Sequence, residues 1–248
     1  MAEYDLFADI YDVDLGKVDR DLKMYSELIT GKEKVLVLTC GTGREIEYLS
    51  DFCDEIYGVD ISENMLKKAN EKVKEKTNVK LILGDMKNIK LECKFDAILI
   101  PNNGILHLLK LEDIEECLKN CKEYLKDDGR IFLDFFVPDY NVLATNTKTK
   151  IHDFTKYDEE LEMYITRERV HLKDVFNKIC LTQIFYEFCD LNGNSKKHIC
   201  QYKIRYLFVD EFELLIRLVG LKRVNRYGNF NFEEYGAEHY NVVYEIKK

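Results

Sequence analysis

The stretch VLVLTCGTGREIEYLSDFCDEIYGVDISENML, residues 35–66, decides the fold. An apolar run is broken by Gly41 and Gly43. A run with helical spacing, REIEYLS, comes next, and a second apolar run, EIYGVD, closes on Asp60. The order is strand, tight turn, helix, strand. Two glycines two apart keep side chains out of the turn, so a ligand can approach its backbone. The first amides of the following helix point at whatever lies there. The spacing is G-x-G; Glu45 and Ile46 stand in the region where a dinucleotide fingerprint has its third glycine. Glycines after a strand are also common as plain turn formers. Asp60 adds an acid at the end of the next strand, where a carboxylate accepts hydrogen bonds from both hydroxyls of a ribose. An aspartate that only caps a helix or a loop is the competing reading.

The same alternation runs on both sides of this stretch. Residues 17–30 carry Val18, Leu22, Tyr25 and Leu28/Ile29 on one helical stripe. After Asp60, SENMLKKANEKVKEK reads as a helix with Ser62 as N-cap. VKLILGD is a third strand, and FDAILIP a fourth, apolar enough to be covered on both faces. LEDIEECLKNCKEYLKDDG gives a helix with Ile114, Leu118, Cys121 and Leu125 on its stripe and Gly129 as its stop. RIFLDFFVP is a fifth strand. Alternating strands and helices with right-handed crossovers make a parallel sheet with helices on both faces, and its ligands bind at the strand carboxyl ends. After Pro138 the pattern changes. HICQYKIRYLF alternates, Asn192-Gly193 marks a turn, and LKDV at 172–175 is a second candidate turn, which together predict an antiparallel meander. VDEFELLIRLVG returns to helix, and LKRVNRYGNF and HYNVVYEIKK form a final pair of strands. The expected fold class is α/β, a Rossmann-like doubly wound seven-stranded sheet, mostly parallel with the last strand antiparallel, plus a small antiparallel β-meander insert. The expected domains are 1–144 with 209–248, and the insert 145–208.

Composition narrows the function classes. With 37 Lys and Arg against 46 Asp and Glu, the net charge is −9, which disfavours nucleic acid as a partner. No apolar run has the length of a membrane span, and AEYDLFADIYD has no secretory apolar core, so the expected location is cytoplasmic. The eight cysteines sit inside strand-like and helix-like segments and read as reduced core residues. Cys117 and Cys121 are four apart without further ligands nearby, so no metal is expected.

A third strand end offers Asp85 and Met86, a carboxylate for an exocyclic amino group and a thioether to cover a purine face. The order VLVLTCGTGR, YGVDISENML, LILGDM, FDAILIPNNGILHL, LKDDGRIFLDFF resembles class I S-adenosylmethionine-dependent methyltransferases over nearly the whole chain. The opening YDLFADIYD and the tail RYLFVDEFELLIRLVGLKRVNRYGNFNFEEYG are similar to a small-molecule subgroup that includes sugar-amine and glycine/sarcosine N-methyltransferases. The resemblance implies S-adenosyl-L-methionine as cofactor. It places Gly41 and Gly43 beside the methionine part, with Cys40 behind them. Asp60 would take the ribose, Ile61 and Met65 the adenine, and Asp85 and Met86 its edge. Pro101, Asn102 and Asn103 would lie near the reacting methyl, with Tyr4 and Tyr11 as a lid. This chain departs from the family at Val37, where an acid is usual, at Thr39, where a glycine is usual, and at Asn229 and Asn231, where aspartates are common.

Methyl transfer from a sulfonium is an in-line displacement, so alignment and water exclusion are the main demands. His107 is the candidate base or acceptor-orienting group, with Tyr11 as a second catalytic candidate, and Tyr227 and Asn103 on the acceptor side. A packed histidine at a helix start and a core tyrosine are the plain alternatives. Arg167, Arg169, Lys203 and Arg205 suit an anionic acceptor group or an exposed charged sheet face. His152, His171, His198 and His239 have no partner pattern. The expected activity is methyl transfer to an N or O atom of a small-molecule acceptor, with the insert shaping the acceptor site or forming a homodimer. A Rossmann-type NAD(P)-dependent oxidoreductase and a non-catalytic S-adenosylmethionine-binding protein are the alternatives.

Overall fold

The computed structural model describes residues 8, 11–12, 19–144, 149–159 and 161–248. The chain divides into two compact units, Met1–Pro138 with Leu207–Lys248, and Asp139–Tyr206. In the first unit the elements are α1 (Arg20–Ile29), β1 (Lys32–Leu38), α2 (Arg44–Leu49), β2 (Cys53–Asp60), α3 (Glu63–Lys72), β3 (Val79–Leu83), β4 (Phe95–Ile100), a 3₁₀ turn (Gly104–His107), α4 (Leu111–Tyr124) and β5 (Leu125–Phe136). The second unit contains α5 (Tyr140–Ala144), β6 (Ile151–Asp158), β7 (Met163–Asp174), β8 (Ile179–Asp190) and β9 (Ser195–Arg205). The chain then returns to the first unit as α6 (Val209–Leu218), β10 (Lys222–Tyr227) and β11 (Asn241–Lys247).

The seven-stranded sheet has the order β10-β11-β5-β4-β1-β2-β3. β3, β2, β1, β4 and β5 pair in parallel, and β11 is antiparallel to both of its neighbours. Strand order reverses between β1 and β4, the position at which such sheets bind ligands. Both sheet faces are apolar. Val35, Val37, Ala97, Leu99 and Phe132 pack with Tyr25 and Ile29 of α1, Ile46 and Leu49 of α2, and Leu66 of α3 in one core. On the other face Phe135 meets Phe212 of α6 edge-on at 5.3 Å, and Phe212 meets Tyr244 at 4.9 Å. The Ser62 hydroxyl accepts from the Met65 amide at 3.2 Å, the cap expected for α3.

Two expectations are corrected. Gly129 does not stop a helix: α4 ends at Tyr124, and Leu125 is already extended and paired with Phe95. Arg130 pairs next, with Ala97, so residues 126–129 bulge out of the strand. Gly129 is needed there because a Cβ would lie 2.8 Å from Leu125 and 3.1 Å from the Asp96 carbonyl. The turn expected at LKDV lies further along the chain, because Leu172, Lys173 and Asp174 stay in the β7 ladder against Leu181, Cys180 and Ile179. Asp174 Oδ1 accepts from the Asn177 amide at 2.9 Å and closes the connection.

The second sheet, β6-β7-β8-β9, is a meander with every neighbour antiparallel. Asp190 holds the Asn192-Gly193 turn by accepting from the Asn192 and Asn194 amides at 2.9 and 2.8 Å, and Gly193 takes φ +86°. None of the eight cysteines is disulfide-bonded. Among the described residues no helix is long and apolar enough to cross a membrane.

Candidate active site at the carboxyl ends of the strands

The sheet register sets the strand ends of the first unit in one row. Asp60 pairs with Leu83, Leu38 with Val59, Val37 with Leu99, Ile100 with Leu133, Asp134 with Val243, and Val243 with Tyr227. The rim therefore runs Leu83, Asp60, Thr39, Pro101, Asp134, Val243, Tyr227. The β1 and β4 turns lie at its centre, on either side of the reversal.

The β1 turn is tied to β2 through Asp60. Its Oδ2 accepts from the Gly41 amide at 2.8 Å and its Oδ1 from the Ser62 amide at 2.9 Å. Gly41 and Gly43 take φ +52° and +83°, values that favour glycine. Gly43 also lets α3 approach, since a Cβ on it would sit 2.9 Å from the Ala69 side chain. Cys40 is buried behind the turn, and burial pushes its thiol pKa up, with Asp60 and Glu45 adding to the rise. Thr39 is left-handed too, at φ +58°, an unusual conformation for a β-branched residue. Its hydroxyl donates to the Leu38 carbonyl at 2.6 Å, and Gly104 packs against it. Ile61, beside Asp60, is 61% exposed and gives the rim an apolar surface, while Met65 is buried beneath. At the end of β3, Asp85 Oδ1 accepts from the Lys87 amide at 3.0 Å, its Oδ2 lies 3.6 Å from Lys87 Nζ, and Met86 is buried.

The β4 turn is tied to β5 through Asp134, which sequence reasoning passed over. Asn102 and Asn103 are consecutive left-handed residues, at φ +53° and +62°. Their amides donate to Asp134 Oδ1 and Oδ2 at 2.8 and 3.1 Å. The Tyr25 hydroxyl donates to Oδ1 at 2.5 Å, and Asn103 Oδ1 accepts from the Phe136 amide at 2.7 Å. Burial pushes the Asp134 carboxyl up to about 6, against the lowering by its three donors. Phe230 meets the Tyr25 ring edge-on at 6.2 Å. The signal that marks Asp134 is a single carboxylate inside the apolar run IFLDFF.

The chain ahead of α1 reaches this rim. The Asn102 side-chain amide donates to the Tyr11 hydroxyl at 3.0 Å, and a Cβ on Gly41 would stand 3.9 Å from the Tyr11 ring. Asp12 Oδ1 accepts from the Thr42 hydroxyl at 2.6 Å and from Lys72 Nζ at 2.7 Å. Beneath, Arg44 at the start of α2 is ion-paired with Asp21 of α1 and with Glu45.

Structure and sequence thus bring together Tyr11, Cys40, Gly41, Asp60 and Asn102 by direct contacts, and place Gly43, Ile61, Met65, Asp85, Met86, Pro101 and Asn103 in the same rim and its loops. Tyr4 lies outside the described residues. His107, half-buried, ends the 3₁₀ turn that follows Asn103. Tyr227 stands three strand spacings from Pro101 along the rim, about 14 Å, with its ring edge-on to Phe232 at 5.4 Å. In the second unit, Asp153 pairs with Arg167 and Arg169, both at 3.1 Å. His171 shares a hydrogen bond of 3.0 Å with Thr182, and His198 packs edge-on to Phe188. Val37, where the family usually has an acid, is wholly buried in the core.

The residues present suit an adenosyl ligand. Asp60 is half-exposed at the rim, with its carboxylate at the end of β2 beside the Gly41 turn. The Gly41 turn keeps side chains off the strand end, and Ile61 offers an apolar face to a base.

Comparison with known proteins agrees with this geometry. Residues 35–129, from β1 to the bulge in β5, match the family described as "Methyltransferase domain". A demethylmenaquinone methyltransferase of Staphylococcus carnosus is 32% identical over 132 residues, 52% of this chain and 53% of that one. A glycine/sarcosine N-methyltransferase of Aphanothece halophytica is 25% identical over 203 residues, 81% of this chain and 70% of that one. The chain spans about half the length of several curated relatives it matches, 54% and 50% for two of them. The crystal structure of an S-adenosylmethionine-dependent methyltransferase from Clostridium acetobutylicum superposes with a TM-score of 0.82 at 19% identity, covering 98% of both chains. Residues 35–129 thus match a methyltransferase domain, and the chain shares the fold of the Clostridium acetobutylicum enzyme.

Proposed function

We propose that this protein is an S-adenosylmethionine-dependent methyltransferase that moves a methyl group to an N or O atom of a small molecule. The observation that carries this reading is the 2.8 Å bond from the Gly41 amide to Asp60, which joins a side-chain-poor turn and an acid at the point where strand order reverses. In this reading Asp60 takes the ribose hydroxyls, Ile61 and Met65 lie along the adenine, and Asp85 and Met86 meet its edge. Gly41, Gly43 and Cys40 border the methionine part. Pro101 and Asn102 flank the reacting end, with Tyr11 over it. S-adenosylmethionine supplies, when bound, a methyl on a sulfonium, an already activated carbon. The protein aligns the acceptor with that carbon and keeps water out. A ring such as Tyr11 beside a sulfonium gains cation–π attraction.

A neutral amine attacks without help, whereas a hydroxyl needs a base within hydrogen-bond reach. We assign that role, or orientation of the acceptor, to His107, with Asn103 and Tyr227 on the acceptor side. Residues 1–144 with 209–248 form the cofactor domain in this proposal, and 145–208 serve acceptor selection or pairing of two copies. The net charge of −9 favours a small acceptor over nucleic acid, and the enzyme is placed in the cytoplasm. The N acceptor draws support from the glycine/sarcosine N-methyltransferase relative. The test is incubation with methyl-labelled S-adenosylmethionine and a panel of small amines and hydroxylated molecules. Label in an amine or hydroxyl product, lost in Asp60→Ala, supports the reading. Tight cofactor binding without transfer to any member of the panel points to a binding protein instead.

A further inference from the structure

One carboxylate interrupts the apolar run of β5. Asp134 is 5% exposed, and taking an acid out of water is costly unless hydrogen bonds replace what it loses. Its replacements are specific: two consecutive backbone amides from the β4 turn and one phenol from α1. The two amides belong to Asn102 and Asn103, both left-handed, a conformation that costs free energy in any residue but glycine, though less in asparagine. The turn holds this shape because one carboxylate takes both N–H groups. The Asn102 side chain then points to the Tyr11 hydroxyl. A hydrophobic residue at 134 would pack, yet it would leave two buried amides without acceptors.

We infer that Asp134 is a positioning residue: it fixes the Asn102–Asn103 turn from inside the sheet and thereby sets the affinity of the rim for its adenosyl ligand. The inference rests on the cofactor reading above. Its consequence is a pH dependence of an unusual kind. Two amide donors favour an ionised acceptor, so the turn is held best when Asp134 is charged. Burial works the other way and raises the folded pKa to about 6, above the roughly 3.9 of an unfolded aspartate. Protonation therefore favours the folded state. The stability linked to Asp134 is present at low pH and is lost as pH rises through about 6. Ligand affinity moves in the opposite sense and falls in acid. Among the described residues, the groups facing Asp134 are these. Tyr25 and Asp21 come from α1, and Asp21 raises its pKa. Behind Tyr25 lie Arg44 and Glu45 of α2. The β4 turn presents its two amides, β11 presents Val243, and Phe230 covers the Tyr25 ring.

The test is calorimetric titration of the full chain with S-adenosylhomocysteine between about pH 5.5 and about pH 8, with thermal unfolding at the same pH values. Wild type should lose affinity severalfold in acid. Asp134→Asn, which offers one acceptor oxygen where two are used, should bind about tenfold more weakly near neutrality and show a flat profile. Tyr25→Phe removes a donor that lowers the Asp134 pKa, so its affinity midpoint should move to higher pH. A merely structural role would leave both profiles parallel to wild type, and that result overturns the inference while leaving the cofactor reading intact. If Asp134→Asn does not fold, an unmoved midpoint in Tyr25→Phe overturns it equally. Wild type that binds no S-adenosylhomocysteine at any pH sinks both.

Discussion

The two sides of the strand reversal use the same device. At the end of β2, Asp60 takes an amide from the turn of its neighbour β1; at the end of β5, Asp134 takes two amides from the turn of its neighbour β4. The difference is solvent. Asp60 is half-exposed at the rim, whereas Asp134 is buried and accepts from Asn102, Asn103 and Tyr25. On the proposed function, the carboxylate that water reaches is the one that takes ligand, and the buried one builds the turn. In this chain the two carboxylates sit three strand spacings apart, with β4 and β1 between them.

Substitutions separate the two roles. Asp134→Ala should cost the most stability, about 3 kcal/mol in urea unfolding, because three buried donors lose their acceptor; a cost below about 1 kcal/mol would mean that water replaces it. Asp60→Ala should show the reverse balance, with about 100-fold weaker S-adenosylhomocysteine binding by calorimetry and a smaller change in stability. Gly43→Ala should lower stability by about 2 kcal/mol, since the added Cβ meets Ala69 at a φ of +83°; an unchanged unfolding midpoint would show that α3 can move away. Thr39→Gly relieves a left-handed β-branched residue beside the rim. It should stabilise by at most about 1 kcal/mol, the strain relieved being partly offset by unfolded-chain entropy. The smallest effect is expected in the second unit, where charges pair across an exposed ladder. Lys197→Ala breaks its 3.6 Å contact with Glu187 and should change stability by less than about 0.5 kcal/mol.

The legible part of this molecule was local. The glycine turn, Asp60, the β1–β5 alternation, the Ser62 cap and the Asn192-Gly193 turn each announce themselves within a few residues. What escaped depends on partners distant in sequence. Asp134 acquires its role from Tyr25, 109 residues away, and from backbone amides that have no side-chain signature. Gly129 looked like a helix stop because acids and a glycine follow an amphipathic run. Its purpose is the bulge that lets Leu125 pair with Phe95 while Arg130 pairs with Ala97. The LKDV signal was displaced because pairing with β8 carries the strand through Asp174. Tyr227 reads as an acceptor-side residue from its motif; the register puts it toward the edge of the sheet, and Phe230 of the same run is a ring that reaches Tyr25.

The central claim is that the rim between Asp60 and Asn102 binds an adenosyl sulfonium cofactor. Calorimetric titration of wild type with S-adenosylmethionine, S-adenosylhomocysteine and NAD tests it most directly. The account predicts one-to-one binding of both adenosyl ligands and none of NAD. Binding of NAD alone, or of none of the three by a folded protein, would contradict it.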